Sequence, residues 1–90
     1  MIGQFVTSKA GHDKDTLYLV VAEEGDFVAL CDGRLKLLER PKRKRKKHIQ
    51  PIRRMAGEEL VQALKQNRAT NEQIKFAIKI VGGNVCQRVM

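Results

Sequence analysis

Ser8, His12 and Asp13 are residue types from which a hydrolase can be built, and His12, Asp13 and Asp15 offer ligands to a cation. Neither set has the spacing its chemistry needs. No nucleophile-elbow pattern surrounds Ser8, so that serine reads as a hydrogen-bonding turn residue. The segment from His12 to Asp15 has the ligand order of neither a calcium loop nor a zinc site. His12 and His48 stand 36 residues apart, with no third group placed to orient either. Gly82-Gly83 is not followed by the lysine of a phosphate-binding loop. The expectation is a chain without catalysis, cofactor, resident metal or small-molecule substrate.

What the chain does concentrate is positive charge. Of the eight residues from Arg40 to Lys47, seven are cationic (Arg40, Lys42, Arg43, Lys44, Arg45, Lys46 and Lys47), and His48 follows. Residues 33–54 hold eleven Lys or Arg against one acid, whereas residues 1–32 hold two against six, so 22 residues carry the whole excess of +8. A focused cationic strip raises the local concentration of anions, and a phosphate backbone is the commonest large partner for one. A solvated loop and a nuclear-import address are the competing readings of Pro41 to Lys47. Strands predicted on both sides of the run count against the address, which usually sits on a disordered tail.

Ninety residues at 42% apolar content make one small domain with a modest core and room for an appended hairpin. The longest apolar run, Leu17 to Ala22, is too short for a membrane span. The start Met1-Ile2-Gly3 has no basic segment leading into an apolar one, so a cytoplasmic protein is expected. Cys31 and Cys86, 55 residues apart, fit neither a disulfide framework nor a Cys-x-x-Cys site, and read as small reduced residues in or near the core.

Residues 1–54 read as a β-unit and residues 55–90 as a helical hairpin. Ile2 to Ser8 is β-branched and aromatic, a strand that ends in a charged loop around Gly11. Leu17 to Ala22 is a second strand, apolar on both pleat faces, and after a turn at Glu23 to Asp26 comes a third, Phe27 to Cys31. Asp32-Gly33 between β-prone runs predicts a tight hairpin into a fourth strand, Arg34 to Glu39. Pro41 then breaks the ladder, and His48 to Ile52 is the fifth strand. Five short strands joined by tight turns predict a small bent barrel.

From Gly57 the period changes to that of a helix. Glu58 to Lys65 places acids first and a lysine last, in accord with the helix dipole. Thr70 to Gln73 is a capping box, and Ile74, Ala77, Ile78 and Val81 follow the i, i+3, i+4, i+7 rule until Gly82-Gly83 is expected to stop the helix. Helices this short need an apolar partner, either the outer face of the second strand or another protein. Phe5, Tyr18, Phe27 and Phe76 all fall in apolar runs and read as core, Tyr18 being the first to move to the surface. With no aromatic platform, recognition by backbone charge and RNA shape is favoured over base reading.

Gly3 to Asp13 running into Leu17 to Val21, with Ala29 to Leu35 and Pro41 to Ile49, resembles a KOW domain, as found in small bacterial RNA-binding proteins and in a KOW-type protein of the archaeal and eukaryotic large ribosomal subunit. Thr70 to Ile74 is similar to the tail of the bacterial group. The resemblance implies an SH3-like barrel and binding of ribosomal or other structured RNA, with ribosomal proteins as neighbours and neither enzymatic activity nor cofactor. In KOW proteins the loop after the first strand contacts RNA, which maps onto Lys9, Gly11, His12 and Lys14; Asp13 and Asp15 leave that loop nearly neutral. With Arg34 and the run from Arg40 to His48, these are the expected RNA contacts. The alternative is a module that docks on a protein of the transcription or translation machinery, with the basic run only steering the encounter.

Overall fold

The computed structural model describes residues 1–9 and 16–89, and the side chains of the last helix as far as Gly82. Five strands come first: β1 (Gln4–Ser8), β2 (Leu17–Glu24), β3 (Phe27–Cys31), β4 (Lys42–Arg45) and β5 (Ile49–Met55). A 3-10 turn, Lys46–His48, joins β4 to β5, and two helices follow, α1 (Glu58–Lys65) and α2 (Asn71–Val89). The strands pair antiparallel in the order β4-β3-β2-β1-β5, an open sheet with β4 and β5 at its edges. No helix of the described residues is long and apolar enough to cross a membrane.

Side chains alternate across a strand, and this sorts the apolar residues of β1, β2 and β3 into two clusters. Phe5, Leu19 and Cys31 share one face with Leu64, Ile74 and Val81 of the helices, while Ile2, Leu17, Val21, Leu60, Ala77 and Ile78 pack around them. The second strand is therefore apolar on both faces because the helices cover one of them. Val6, Tyr18, Val20, Val28, Leu30 and Ile49 form the other cluster. Each such fully buried apolar side chain is worth about 1.5–3 kcal/mol. The Cys31 thiol is pushed up to about 12 by burial, with the charges of Asp32 and Glu39 adding to the effect, so it packs as a small neutral side chain. The side chain of Cys86 lies outside the described residues.

Among the described residues no helix packs on the second cluster, and the sheet curls around it instead. Two irregularities, between Val20 and Ala22 against β3 and between Gln4 and Val6 against β5, bend the strands. The Gln4 side chain donates 2.6 Å to the Ile52 carbonyl at the second of these. The curl is steep enough for Lys44, on one edge strand, to donate to the Ser8 hydroxyl on β1, the strand beside the opposite edge.

Three expectations from the sequence are corrected. Arg34 to Glu39 is not a strand, because Asp32 does not simply turn the chain. Its Oδ1 accepts from the backbone N–H of Arg34, Leu35 and Lys36, at 2.8, 3.0 and 2.9 Å, so the side chain claims donors that a ladder would need. Secondly, the basic run is not a loop between strands: Lys42–Arg45 is itself the strand that pairs with β3. Thirdly, α2 does not stop at Gly82-Gly83. Glycine ends a helix by adopting positive φ, whereas Gly82 stays helical with its Cα side against Leu17.

The loop from Asp32 to Arg40 is held against the start of α2. The Leu38 N–H donates 2.8 Å to Asn71 Oδ1, and Asn71 Nδ2 donates 2.9 Å to Glu39. The capping box is present, with Thr70 and Gln73 exchanging backbone N–H bonds to each other's side chains. Gly33 has φ of +78°, and a Cβ there would lie 2.5 Å from both the Asn71 carbonyl oxygen and the Lys75 nitrogen. Gly33→Ala is therefore expected to cost about 2–4 kcal/mol, from a strained φ and an overpacked contact together. Urea denaturation measures it, and a midpoint equal to wild type would contradict the packing described.

Candidate nucleic-acid interface

The period of β4 divides the basic run into two sets with different tasks. Lys42 and Lys44 stand opposite Leu30 and Val28, on the face of the second cluster. Both are half-buried, a setting in which a lysine stem can cover apolar surface while its amine reaches out of it. The Lys42 amine lies 6.0 Å from the centre of the Tyr18 ring, and that of Lys44 bonds to Ser8, which is 1% exposed. Ser8 is thus a buried strand residue rather than a turn residue.

Arg43 and Arg45 stand opposite Ala29 and Phe27 on the other face. Their guanidinium carbons lie 4.3 and 5.3 Å from the centre of the Phe27 ring. Contacts of this kind contribute about 0.5–1 kcal/mol each at exposed sites, and both side chains remain exposed. Phe27 therefore serves less as core than as a mount that limits the freedom of two guanidiniums. Positions two apart on a strand are separated by roughly 6.6–6.8 Å.

The end of the strip after β4 is fixed by β2, the turn that follows β2 and the residue after β1. The Lys46 N–H donates 2.8 Å to the Asp26 carbonyl, and its amine pairs with Glu23. Glu23 also accepts from the Met1 amine at 2.6 Å. The bond from Lys46 first, then that from the Met1 amine, lowers the Glu23 carboxyl from 4.5 to about 2. Lys47 and His48 are exposed in the 3-10 turn, and the Lys9 N–H donates 3.0 Å to the His48 carbonyl, which puts exposed Lys9 beside the end of the run. Arg40 is exposed at the other end.

Arg40, Arg43, Arg45, Lys47 and His48 are thus exposed along edge strand β4 and its flanking residues, with Lys9 joined to the turn at His48, while Lys42, Lys44 and Lys46 contact Tyr18, Ser8 and Glu23. Arg34 stands apart, on the loop after β3. Gly11, His12 and Lys14, together with Asp13 and Asp15, lie outside the described residues. Sequence reasoning missed Phe27 as the mount for two arginines, the exposed pair Arg53 and Arg54 on β5, and Lys75 and Lys79 on α2. Tyr18, read as core though the first aromatic to move to the surface, is buried at 3% exposure, whereas Phe76, also read as core, is 66% exposed. Phe76 lies off the helix face defined by Ile74, Ala77, Ile78 and Val81, a signal present in the spacing itself.

Neither a protein-family model nor a curated protein sequence matches this chain.

The Glu23 cluster predicts a pH response. A carboxyl held at about 2 when folded, against 4.5 otherwise, contributes stability above pH 4.5 that is lost as the pH falls toward 2. Carbon-detected NMR titration of Glu23 should find its midpoint near the lower value, and Lys46→Ala should move it toward the ordinary one. A midpoint unmoved by that substitution would exclude Lys46 as the main cause.

Proposed function

We propose that this chain binds structured RNA through phosphate contacts along β4 and the turn after it, as a ribosomal or ribosome-associated protein of translation that acts by binding and not by catalysis. The observation that carries this reading is the pair of arginines on the outward side of an edge strand, both mounted on Phe27 and flanked by exposed Arg40 and Lys47. Among the described residues no carboxylate pairs with these four cations. Preorganised guanidiniums lose less freedom on binding a phosphate than free ones, and their fork geometry suits phosphate oxygens. Phe5 and Tyr18 are buried, Phe27 is taken by two arginines, and exposed Phe76 lies on α2 and not on β4, which supports reading of backbone and shape along the strip over stacking on bases.

The curl of the open sheet supports the finer reading of the fold, an SH3-like barrel of KOW type whose seam lies between β4 and β5. Under that reading Lys9 belongs to the RNA-contacting loop, and its hydrogen bond to His48 joins the loop to the strip. The competing reading, a module docked on a protein of the transcription or translation machinery, draws on exposed Phe76 and Ile80, one turn apart on α2.

The alternation of β4 yields a paired test. Arg43→Ala with Arg45→Ala should weaken binding to different structured RNAs by a similar factor and flatten the log-log salt slope by about 1.4, at roughly 0.7 per single-strand phosphate. The stability lost should stay near 1–2 kcal/mol, the worth of the two ring contacts removed. Lys42→Ala with Lys44→Ala should instead lower stability more than it changes the slope, because those lysines are half-buried on the face of the second cluster. Unaltered RNA affinity and slope in the arginine variant would end the phosphate reading. A protein partner retained after nuclease treatment would favour docking.

A further inference from the structure

A second group of cations lies away from β4, and the strip does not use it. Between the loop after β3 and α2 runs an open groove of about 540 Å3, within the roughly 300–1,000 Å3 typical of small-ligand sites. Arg34 enters it from the loop, and Lys75 and Lys79, one turn apart, enter it from the helix. Leu17 and Ile78 add apolar lining and Thr16 a hydroxyl.

The groove is built from a fixed frame. Gly33 meets the α2 backbone so closely that no side chain fits there, which sets Arg34 beside the lysines. Asp32, the acid in the lining, spends its Oδ1 on three backbone N–H groups of its own loop. Arg34, Lys75 and Lys79 are exposed, and among the described residues no carboxylate pairs with any of them. Like charges at i and i+4 oppose helix formation. A bound anion bridging them would turn that repulsion into attraction.

We propose that this groove is a nucleotide site, with the phosphate held by Arg34, Lys75 and Lys79 and the sugar or base against Leu17 and Ile78. The ligand is a phosphate ester with a flat or apolar body, supplied either as a free nucleotide or as one exposed unit of an RNA strand. The site stands independently of the strip on β4.

The test is an amide NMR titration of the full chain with ADP, with inorganic phosphate and with a short single-stranded RNA. ADP should shift the amides of Leu17 and Ile78, inorganic phosphate should do so far more weakly, and the triple variant Arg34→Ala, Lys75→Ala, Lys79→Ala should lose the response. Its melting should equal or slightly exceed that of wild type, since all three side chains are exposed and the repulsion between Lys75 and Lys79 is removed. If RNA is the source, the triple variant also flattens the RNA salt slope by about 0.7, the share of one single-strand phosphate; if free nucleotide is the source, RNA affinity is unchanged while the ADP response is lost. The ADP response should survive in the Arg43→Ala, Arg45→Ala variant even if that variant shows the strip to be idle. An absence of shifts with both ADP and RNA overturns the proposal, as does an equal response to inorganic phosphate or an undiminished response in the triple variant.

Discussion

The pairing of β3 with Lys42–Arg45 is the interaction from which the rest of the molecule follows. Left alone, a segment with four successive cations would stay extended and solvated, because its charges repel and nothing in it prefers a hydrophobic core. Pairing with β3 satisfies backbone groups that would otherwise be unmatched at the edge of that strand. It also imposes a period of two on the charges, so lysines meet the apolar cluster and arginines meet Phe27. One backbone interaction thus separates cations that hold the fold from cations available to an anion.

The same pairing explains why the loop before β4 matters. Residues 32–41 must carry the chain from the end of β3 back to its neighbour, and they do so bound to α2 through Asn71 and the close approach at Gly33. The helices are therefore tied to the edge of the sheet as well as to the cluster around Leu19 and Ile74. The strip and the groove consequently share a frame, although they present different cations.

Much of this architecture was legible in the chain. The apolar runs that became β1, β2 and β3, the capping box of α2 and the helix face of Ile74, Ala77, Ile78 and Val81 each carry a period that local chemistry enforces. The fourth strand was not legible, because Lys42–Arg45 has no apolar residue from which a period could be read, and its conformation comes from β3. Asp32-Gly33 misled for a related reason. The carboxylate that makes Asp a turn former also accepts backbone N–H groups further on, and here it took three of them. The basic run was evident as a charge, but the use of Phe27 was hidden, since an aromatic in an apolar run reads as core until its neighbour across the strand is known.

The position of β4 and β5 at the two margins of an open sheet has another consequence. An uncovered margin presents backbone donors and acceptors to any passing strand, and identical molecules supply such strands at every encounter. Here one margin is lined by Lys42, Arg43, Lys44 and Arg45, and the other carries Pro51, which has no N–H, with exposed Arg53 and Arg54. Two copies that approach margin to margin meet like charge before they can exchange a hydrogen bond. Solubility of the free chain is thereby linked to the charges at its margins: a polyanion or concentrated salt that neutralises a margin also removes the barrier to sheet extension between copies.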